Sequence, residues 1–285
     1  MDFNTIGIIG AGVMGRGLAQ DLAQHKKKVI LIDVSDEILE SAKNEIKSAI
    51  RFSAFFVKDK STLEPTENIL NRITFTKDFS MLDSTDFIVE NASEKWEVKQ
   101  KVYPMIDAYA PANTAVAANT SCFSITRLGS LTNRADKIIG MHFMNPVPMK
   151  PTVEVIRGFH TTPETIETGL NFLKSFGKDG IVVNDMPGFV SNRVLMLTIN
   201  EAIFTVQDGV ATPQQVDEIF RKCFGHKMGP LETGDLIGLD TILYSIEVLY
   251  ESYNDSKFRP APLLKKMVDA GLLGRKSGKG FFTYN

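Results

Sequence analysis

A glycine-rich turn near the amino terminus constrains the fold more than any other feature of the chain. The stretch "GIIGAGVMGRGLAQ", residues 7–20, holds five glycines. It follows a β-branched run and precedes apolar residues at helical spacing, which predicts a strand-to-helix turn. Gly10, Gly12 and Gly15 form G-x-G-x-x-G, in which the first glycine permits the turn, the second admits a pyrophosphate against the backbone, and the third lets helix pack on strand.

An acidic residue after the next apolar run supports a dinucleotide site. The run "KVILID" ends at Asp33, 18 residues beyond Gly15. A carboxylate there accepts hydrogen bonds from the adenosine ribose hydroxyls and repels a 2′-phosphate, so we predict NAD rather than NADP as the cofactor. The alternative role for Asp33 is that of a helix-capping residue.

Composition excludes several classes of protein. The chain has 285 residues, 43% of them hydrophobic, and a formal net charge of -2, which indicates a globular protein of about two domains. The basic residues are scattered and no apolar run reaches the ~18 residues of a membrane helix, so we expect neither a nucleic-acid nor a membrane partner. The two cysteines, Cys122 and Cys223, are far apart, which favours free thiols and a cytoplasmic location. We expect no bound metal.

Alternating strand and helix patterns organise the first two-thirds of the chain. A long helix after Asp33 and a second helix around Pro65 to Arg72 predict a helical hairpin insertion, at about residues 36–72. Beyond the first two strands, the strand candidates are "RITFT", "DFIVE", "TAVAA", "IIGMHF", "VEVI" and "IVVN". This alternation predicts an α/β fold with a doubly wound, mainly parallel Rossmann-type sheet.

The pattern changes at "NDMPGFVSNR", where Pro187 and Gly188 interrupt the chain. A helix is predicted from Phe189 to about Asp208, and two later segments, beginning "TPQQVDEIF" and "LIGLDTILY", also have helical periodicity. We therefore predict an NAD-binding domain over residues 1–185 and an all-α domain over residues 186–285. The helices are apolar on more than one face, so we expect this second domain to form a homodimer interface; a monomeric bundle is the alternative.

Five further segments carry a family resemblance. They are "AANTSCFSI", "GMHFMNPVPMKPTVEVI", "NDMPGFVSNR", "KMGPLETGDLIGLDT" and "LLGRKSGKGFFTYN". Together with the glycine turn, in this order and spacing, they make the chain similar over its whole length to the L-3-hydroxyacyl-CoA dehydrogenase family, and to its bacterial 3-hydroxybutyryl-CoA members in particular.

The resemblance implies a catalytic set of four residues. His142 falls at the family's catalytic histidine, Glu154 at its carboxylate partner, and Ser121 and Asn192 at polar residues that hold the substrate oxygens. The chemistry is consistent, because imidazole exchanges protons near neutral pH and a carboxylate stabilises the imidazolium. The alternatives are a core histidine, a solvated strand-end glutamate, and helix caps for the serine and the asparagine.

The resemblance also implies the remaining cofactor contacts. These fall at Val13, Met14, Glu94, Lys99, Asn119 and Asn145. For Glu94 and Lys99 the alternative is a pair of solvated helix charges. Cys122 is interpreted as a small buried residue, because hydride transfer needs no covalent nucleophile.

The hairpin departs from the family pattern. It reads "AIRFSAFFVKDKS", in which Ala49, Ala54 and Phe56 replace polar or basic residues and the cations are Arg51, Lys58 and Lys60. The thioester carrier is therefore either CoA or an acyl carrier protein. Alternatively, the phenylalanines pack between the two hairpin helices; these are Phe52, Phe55 and Phe56.

The function that these observations favour is NAD-dependent oxidation of a short L-3-hydroxyacyl thioester, or the reverse reduction, with CoA as the carrier. One alternative is the same reaction on a carrier-protein thioester in the synthesis of polyketide extender units. Others are a non-catalytic, crystallin-like NAD-binding protein and a dehydrogenase of free hydroxy or sugar acids.

Overall fold

The computed structural model describes residues 2–55, 63–121 and 123–284. The chain divides into two compact units, residues 1–185 and residues 186–285. No helix among the described residues is both long enough and apolar enough to cross a membrane.

An eight-stranded sheet forms the centre of the first unit. Its strands are β1 (Thr5–Ile9), β2 (Lys28–Ile32), β3 (Ile73–Thr76), β4 (Phe87–Glu90), β5 (Ala115–Ala118), β6 (Ile138–His142), β7 (Thr152–Arg157) and β8 (Asp179–Asn184). They are ordered β3-β2-β1-β4-β5-β6-β7-β8, and only β6 and β7 pair antiparallel. The prediction of a doubly wound, mainly parallel sheet is therefore confirmed.

Helices cover this sheet, which explains why its strands read as nearly continuous apolar runs. They are α1 (Val13–Gln24), α2 (Asp36–Ala54), α3 (Thr66–Leu70), α4 (Trp96–Tyr109), α5 (Ile125–Gly129) and α6 (Pro163–Lys174). Three short 3₁₀ turns, Phe79–Ser84, Ala135–Lys137 and Val147–Met149, complete the unit. Every residue of β4, β5 and β6 is buried, so the carboxyl ends of these strands meet at one rigid edge.

The hairpin region consists of α2 and α3. Phe52 and Phe55, near the end of α2, are 66% and 80% exposed. The alternative in which these two rings pack between the hairpin helices is therefore wrong, because most of each ring faces solvent. Phe56, Lys58 and Lys60 lie outside the described residues.

The second unit is helical. It contains α7 (Ser191–Gln207), α8 (Pro213–Phe224), α9 (Pro230–Ile237), α10 (Leu239–Tyr253) and α11 (Pro262–Asp269). Helix α7 begins at Ser191 and not at Phe189 as predicted, because Gly188 and Phe189 have φ values of +76° and +50°, in the left-handed region that no right-handed helix accommodates. Likewise Gly238, with φ of +104°, separates α9 from α10.

A buried aspartate binds the carboxyl-terminal segment of this unit through hydrogen bonds. Asp235, at 0% exposure, accepts hydrogen bonds from the backbone N–H groups of Phe281 (3.0 Å) and Phe282 (2.9 Å) and from the Tyr284 hydroxyl (3.0 Å). Burial, and then the hydrogen bond to Asp235, raises the pKa of Tyr284 to about 12. The phenol therefore stays protonated while it donates to the carboxylate.

Candidate active site

The three glycines of the turn meet different demands. Gly10 has φ of +97°, and a Cβ there would lie 2.5 Å from the Asn91 carbonyl oxygen; a Cβ on Gly15 would overlap the carbonyl oxygen of Gly10. These two glycines are required by the protein's own packing. Gly12, the N-cap of α1, has ordinary extended geometry and no protein atom within 4 Å of a built Cβ. The open space above Gly12 therefore fits a ligand that approaches the backbone, as a pyrophosphate does at a helix N-terminus.

Asp33, directly after β2, binds the backbone of the glycine turn. Its carboxylate accepts hydrogen bonds from the N–H groups of Ala11 and Val34, both at 2.7 Å. The N-cap of α2 is Ser35, whose side chain accepts from the Ile38 N–H. The capping alternative for Asp33 is therefore wrong. Because each carboxylate oxygen has a second lone pair, Asp33 can still accept from the ribose hydroxyls of NAD.

His142 and Glu154 face each other across the β6–β7 ladder. They are direct partners in the antiparallel register, and His142 Nδ1 lies 3.2 Å from Glu154 Oε2. Both side chains are buried, at 8% and 9% exposure, so Glu154 is not a solvated strand-end charge. In a neutral imidazole, an ionised Glu154 carboxylate, which only accepts hydrogen bonds, selects the tautomer with the proton on Nδ1 and the lone pair on Nε2.

Ser121 continues this chain of hydrogen bonds. Its Oγ lies 3.0 Å from His142 Nε2. The N-cap of α5 is Ser124, whose hydroxyl accepts from the Arg127 N–H. The helix-cap alternative for Ser121 is therefore wrong. Ser121, His142 and Glu154 form one chain of hydrogen bonds, which we call the relay.

Residues 91–94, which follow β4, support the segment that carries Ser121. Glu94 accepts hydrogen bonds from the Thr120 hydroxyl and from the Ser121 N–H, each at 2.8 Å. The Asn119 side-chain amide donates to Asn91 Oδ1 at 2.7 Å. Glu94 is therefore part of the site and is not a freely solvated helix charge.

Lys99 occupies a position that the sequence did not predict. Its ammonium donates to both carboxylate oxygens of Glu90, each at 2.8 Å, and to the Ala92 carbonyl at 3.1 Å. The Lys99 and Glu90 side chains are fully buried, so the interpretation of Lys99 as a solvated charge is wrong. All three N–H donors of this ammonium are used within the protein. The role of Lys99 is therefore the support of residues 91–94, and not the cofactor contact that was predicted. Burial raises the pKa of Glu90, and the Lys99 charge opposes that rise.

A cavity of ≈ 290 Å³ lies between the glycine turn and the relay. Its lining residues are Gly12, Val13, Met14, residues 91–94, Asn119, Ser121 and Phe143. Seven of the predicted site residues therefore meet at one place, namely Gly12, Val13, Met14, Glu94, Asn119, Ser121 and, through its hydrogen bond to Ser121, His142. Asn145 lines a neighbouring groove of ≈ 390 Å³ that shares Val13 with this cavity.

Two further residues from the sequence analysis have no position established relative to this group. Asn192 is the second residue of α7 in the other compact unit. The N-cap of that helix is Val190, so Asn192 is not a helix cap, and its contact with substrate stays a prediction. Cys122 lies outside the described residues.

Sequence reasoning missed three buried charges near the site, Glu90, Asp21 and Lys178. The sequence contained a signal for the first, because "DFIVE" ends an apolar strand run in a carboxylate and ligand sites collect at the carboxyl ends of parallel strands. No comparable local signal marks Asp21 or Lys178.

Known proteins share this architecture and these segments. Residues 5–186 match the model of the 3-hydroxyacyl-CoA dehydrogenase NAD binding domain, and residues 188–284 match that of the 3-hydroxyacyl-CoA dehydrogenase C-terminal domain. A probable 3-hydroxybutyryl-CoA dehydrogenase of Bacillus subtilis is 42% identical over 284 residues, which are 100% of this chain and 98% of the relative. A 3-hydroxybutyryl-CoA dehydrogenase of Bradyrhizobium diazoefficiens is 42% identical over 98% of this chain and 94% of its own length.

A solved structure agrees with these matches. The crystal structure of (S)-3-hydroxybutyryl-CoA dehydrogenase from Ralstonia eutropha superposes with a TM-score of 0.94 at 40% identity, covering 100% of both chains. The predictions of the family, of the dehydrogenase class and of NAD as cofactor are thus confirmed. The chain belongs to the 3-hydroxyacyl-CoA dehydrogenase family, NAD-dependent oxidoreductases that act on CH–OH groups.

Proposed function

We propose that this protein interconverts a short-chain L-3-hydroxyacyl-CoA and the corresponding 3-oxoacyl-CoA, with 3-hydroxybutyryl-CoA as the first candidate substrate. The observation that carries the proposal is the relay from Ser121 Oγ through His142 to Glu154, with distances of 3.0 and 3.2 Å, at the wall of the cavity that begins at Gly12. This relay supports His142 as the proton acceptor beside the position that we propose for the nicotinamide.

Each member of the relay has a role in the oxidation. His142 Nε2 takes the proton of the C3 hydroxyl as the C–O bond becomes a carbonyl. Glu154 accepts the Nδ1–H bond and stabilises the imidazolium that forms. The Ser121 hydroxyl has one proton, so it orients a substrate oxygen by turning its O–H from His142 Nε2 to the substrate; for Asn192 the family resemblance implies a second donor of this kind. When bound, NAD⁺ supplies the acceptor for the hydride that leaves C3.

The same geometry supports a set of cofactor contacts. Gly12 would lie against the pyrophosphate, and Asp33 would accept from the adenosine ribose. Val13, Met14, Glu94 and Asn119 would contact the cofactor from the cavity wall, and Asn145 from the neighbouring groove.

The groove beside Asn145 supports a thioester with a long uncharged arm. It lies between α1, α2 and residues 145–149, and its walls are mostly apolar, with Ile46, Phe52 and Val147 among them. Among the described residues that line it, the one cation is Arg16, which is paired with Glu45 at 3.0 Å. A free hydroxy or sugar acid would find no complementary charge there, whereas an uncharged pantetheine arm fits.

CoA and an acyl carrier protein present the same arm, and the relatives distinguish between them. The relatives named above are CoA-thioester dehydrogenases, which favours CoA. Arg51, exposed in the last turn of α2, is a candidate contact for the CoA phosphates.

The test is NADH oxidation with acetoacetyl-CoA, acetoacetyl carrier protein and free acetoacetate as parallel substrates. We expect turnover with the CoA thioester at the highest kcat/KM, and loss of that turnover in His142→Gln. Preference for the carrier-protein thioester would move the substrate to the alternative carrier. NADH binding without turnover of any of the three would contradict the enzymatic proposal in favour of a non-catalytic binding protein.

We also propose a homodimer formed through the helical unit. A groove of ≈ 620 Å³ in this unit is lined mainly by apolar residues of α7, α8 and their connection, and Val210 and Ile219 in its wall are 75% and 49% exposed. Covering such surface with a second copy removes apolar area from water. We expect a dimer in sedimentation equilibrium and a monomer for Ile219→Lys; a monomeric wild type at micromolar concentration would contradict the proposal.

We place the protein in the cytoplasm. Cys223 is a free, exposed thiol, which suits a reducing compartment.

A further inference from the structure

A buried ion pair lies behind the active site, in the first unit. Lys178 Nζ is 2.8 Å from Asp21 Oδ2, and each of the two side chains is only 4% exposed. Asp21 belongs to α1, the helix that starts at the glycine turn, and Lys178 directly precedes β8. Neither residue touches the cavity lined by Ser121 and Gly12.

Lys178 also binds the connection between β6 and β7. Its ammonium donates to the carbonyl oxygens of Val147 and Lys150, at 2.8 and 2.9 Å. Asp21 pairs with this ammonium through its charge at 2.8 Å, while the two carbonyl oxygens take its hydrogen bonds. The ammonium therefore joins α1, the 3₁₀ turn Val147–Met149 and the start of β8 at a single point.

The connection that Lys178 binds is the one between the two catalytic side chains. It leaves β6 immediately after His142, carries Asn145, and returns to β7, where Glu154 pairs with His142. At the same time Lys178 is anchored from behind, since its backbone N–H donates to the Leu173 carbonyl at the end of α6 at 3.0 Å. The adjacent β8 is in parallel register with β7, with Ile181 beside Glu154.

The free energy of unfolding does not explain why this buried ion pair is present. A buried ion pair roughly breaks even against apolar residues of the same volume. Burial raises the pKa of Asp21 even though Lys178 opposes the rise, which shows that the site is costly for a charge. What an ammonium offers, and an apolar side chain does not, is a charge for the carboxylate together with directed N–H donors for the two carbonyls.

We propose that the Asp21–Lys178 pair is a positioning device for hydride transfer. The pair fixes the position of the connection that carries Asn145, and so the position of the His142–Glu154 pair. This position is fixed relative to α1, the helix proposed to bind the cofactor's diphosphate. The inference rests on the proposed function, because it assigns the pair a part in that reaction. Loss of the tether would leave the acid–base pair intact but displace it from the reacting carbon, where about 1 Å costs on the order of 10²-fold in rate.

The experiment compares Lys178→Met with Lys174→Met. Methionine keeps the length and the apolar stem of lysine but has no donors, and Lys174 is an exposed residue one turn earlier, in α6. In stopped-flow first turnovers, with NADH and acetoacetyl-CoA in excess over enzyme, the burst rate constant reports hydride transfer and the burst amplitude counts folded active enzyme. We expect the rate constant to fall roughly 10- to 100-fold in Lys178→Met, with the Kd for NADH within about threefold and Lys174→Met unchanged.

A purely structural role of Lys178 predicts the reverse result, in which the amplitude falls and the rate constant of hydride transfer is unchanged. That result would overturn the proposal. If Lys178→Met does not fold, Asp21→Asn is the second variant, since it keeps the ammonium and both carbonyl bonds while removing one charge. We expect a smaller fall in the same rate constant, about three- to tenfold. A wild-type rate constant in Asp21→Asn would overturn the proposal in that case.

Failure of the proposed function is visible separately, as absence of turnover in the wild-type protein. Hydrogen exchange then tests the tether without any reaction. We expect faster exchange in a peptide covering residues 143–153 in Lys178→Met, or in Asp21→Asn, than in Lys174→Met. Equal exchange in these proteins would overturn the inference.

Discussion

Replacing Gly12 by alanine tests whether the open space above the glycine turn belongs to the cofactor. Gly12 has φ of -69° and ψ of -170°, which any L-residue adopts, and a Cβ there meets no protein atom within 4 Å. Glycine-to-alanine changes at compatible positions stabilise a fold by about 0.4–1 kcal/mol, because they restrict the unfolded chain. Gly12→Ala should therefore unfold at the same urea concentration as the wild type, or a higher one.

Cofactor binding should respond in the opposite direction. A methyl group above Gly12 moves the diphosphate away from the backbone N–H groups of α1, and one lost hydrogen bond to a charged group is worth about 1.5–3 kcal/mol. That loss corresponds to a Kd for NADH raised roughly 10- to 150-fold. The assay is titration of NADH fluorescence, with unfolding by urea measured on the same preparations.

Two neighbouring glycines are the matched controls. A Cβ on Gly17, within α1, would meet Val147 only at an ordinary contact distance of 3.5 Å, so Gly17→Ala should keep both stability and binding. A Cβ on Gly15 would overlap the Gly10 carbonyl, so Gly15→Ala should lose about 1–3 kcal/mol or more of stability. Wild-type NADH affinity in folded Gly12→Ala would refute the reasoning, as would an unfolded Gly12→Ala.

Three further predictions address the relay, the buried pair and the carboxyl-terminal segment. Glu154→Gln should lower kcat by about 10²-fold or more, because the imidazolium loses its counter-charge, with the Kd for NADH within twofold; unchanged kcat would contradict the acid–base assignment. Lys99→Met should lower the free energy of unfolding in urea by about 3–5 kcal/mol, because it leaves the Glu90 carboxylate buried without a counter-charge. The double variant with Glu90→Gln should recover most of this free energy. Equal losses in the single and double variants would contradict the pairing. The Tyr284 pKa is raised in the folded state, so its contribution to stability is complete below pH 10 and is lost as pH rises towards 12. The urea midpoint should therefore fall more between pH 9 and pH 11 in the wild type than in Tyr284→Phe, and parallel falls would contradict the hydrogen bond to Asp235.

Features that depend on a short stretch of chain could be predicted from the residues alone. All eight strands lie in segments whose apolar runs predicted them; for the mostly buried strands β1, β2, β4, β5, β6 and β7 the reason is that a strand buried on both faces must be apolar throughout. The same holds for the turn at Gly10, which needs a positive φ, and for the Pro213 start of α8. Helix starts are harder to predict: Ser124 rather than Ser121 caps α5, since the choice depends on a difference of three residues in backbone conformation.

Contacts between distant segments required the tertiary structure. Whether Glu154 reaches His142 depends on the antiparallel register of β6 and β7, and a slip of one residue would turn the side chain to the other face of the sheet. Lys99 and Lys178 look like ordinary surface lysines in the sequence, yet both are buried with carboxylates. Their burial is decided by elements that are far away along the chain, and the free energy of a charge depends on that surrounding. Local backbone preference and apolar periodicity thus set the elements and the glycine turn, while packing across the sheet decided which charges are paired and which side chains form the site.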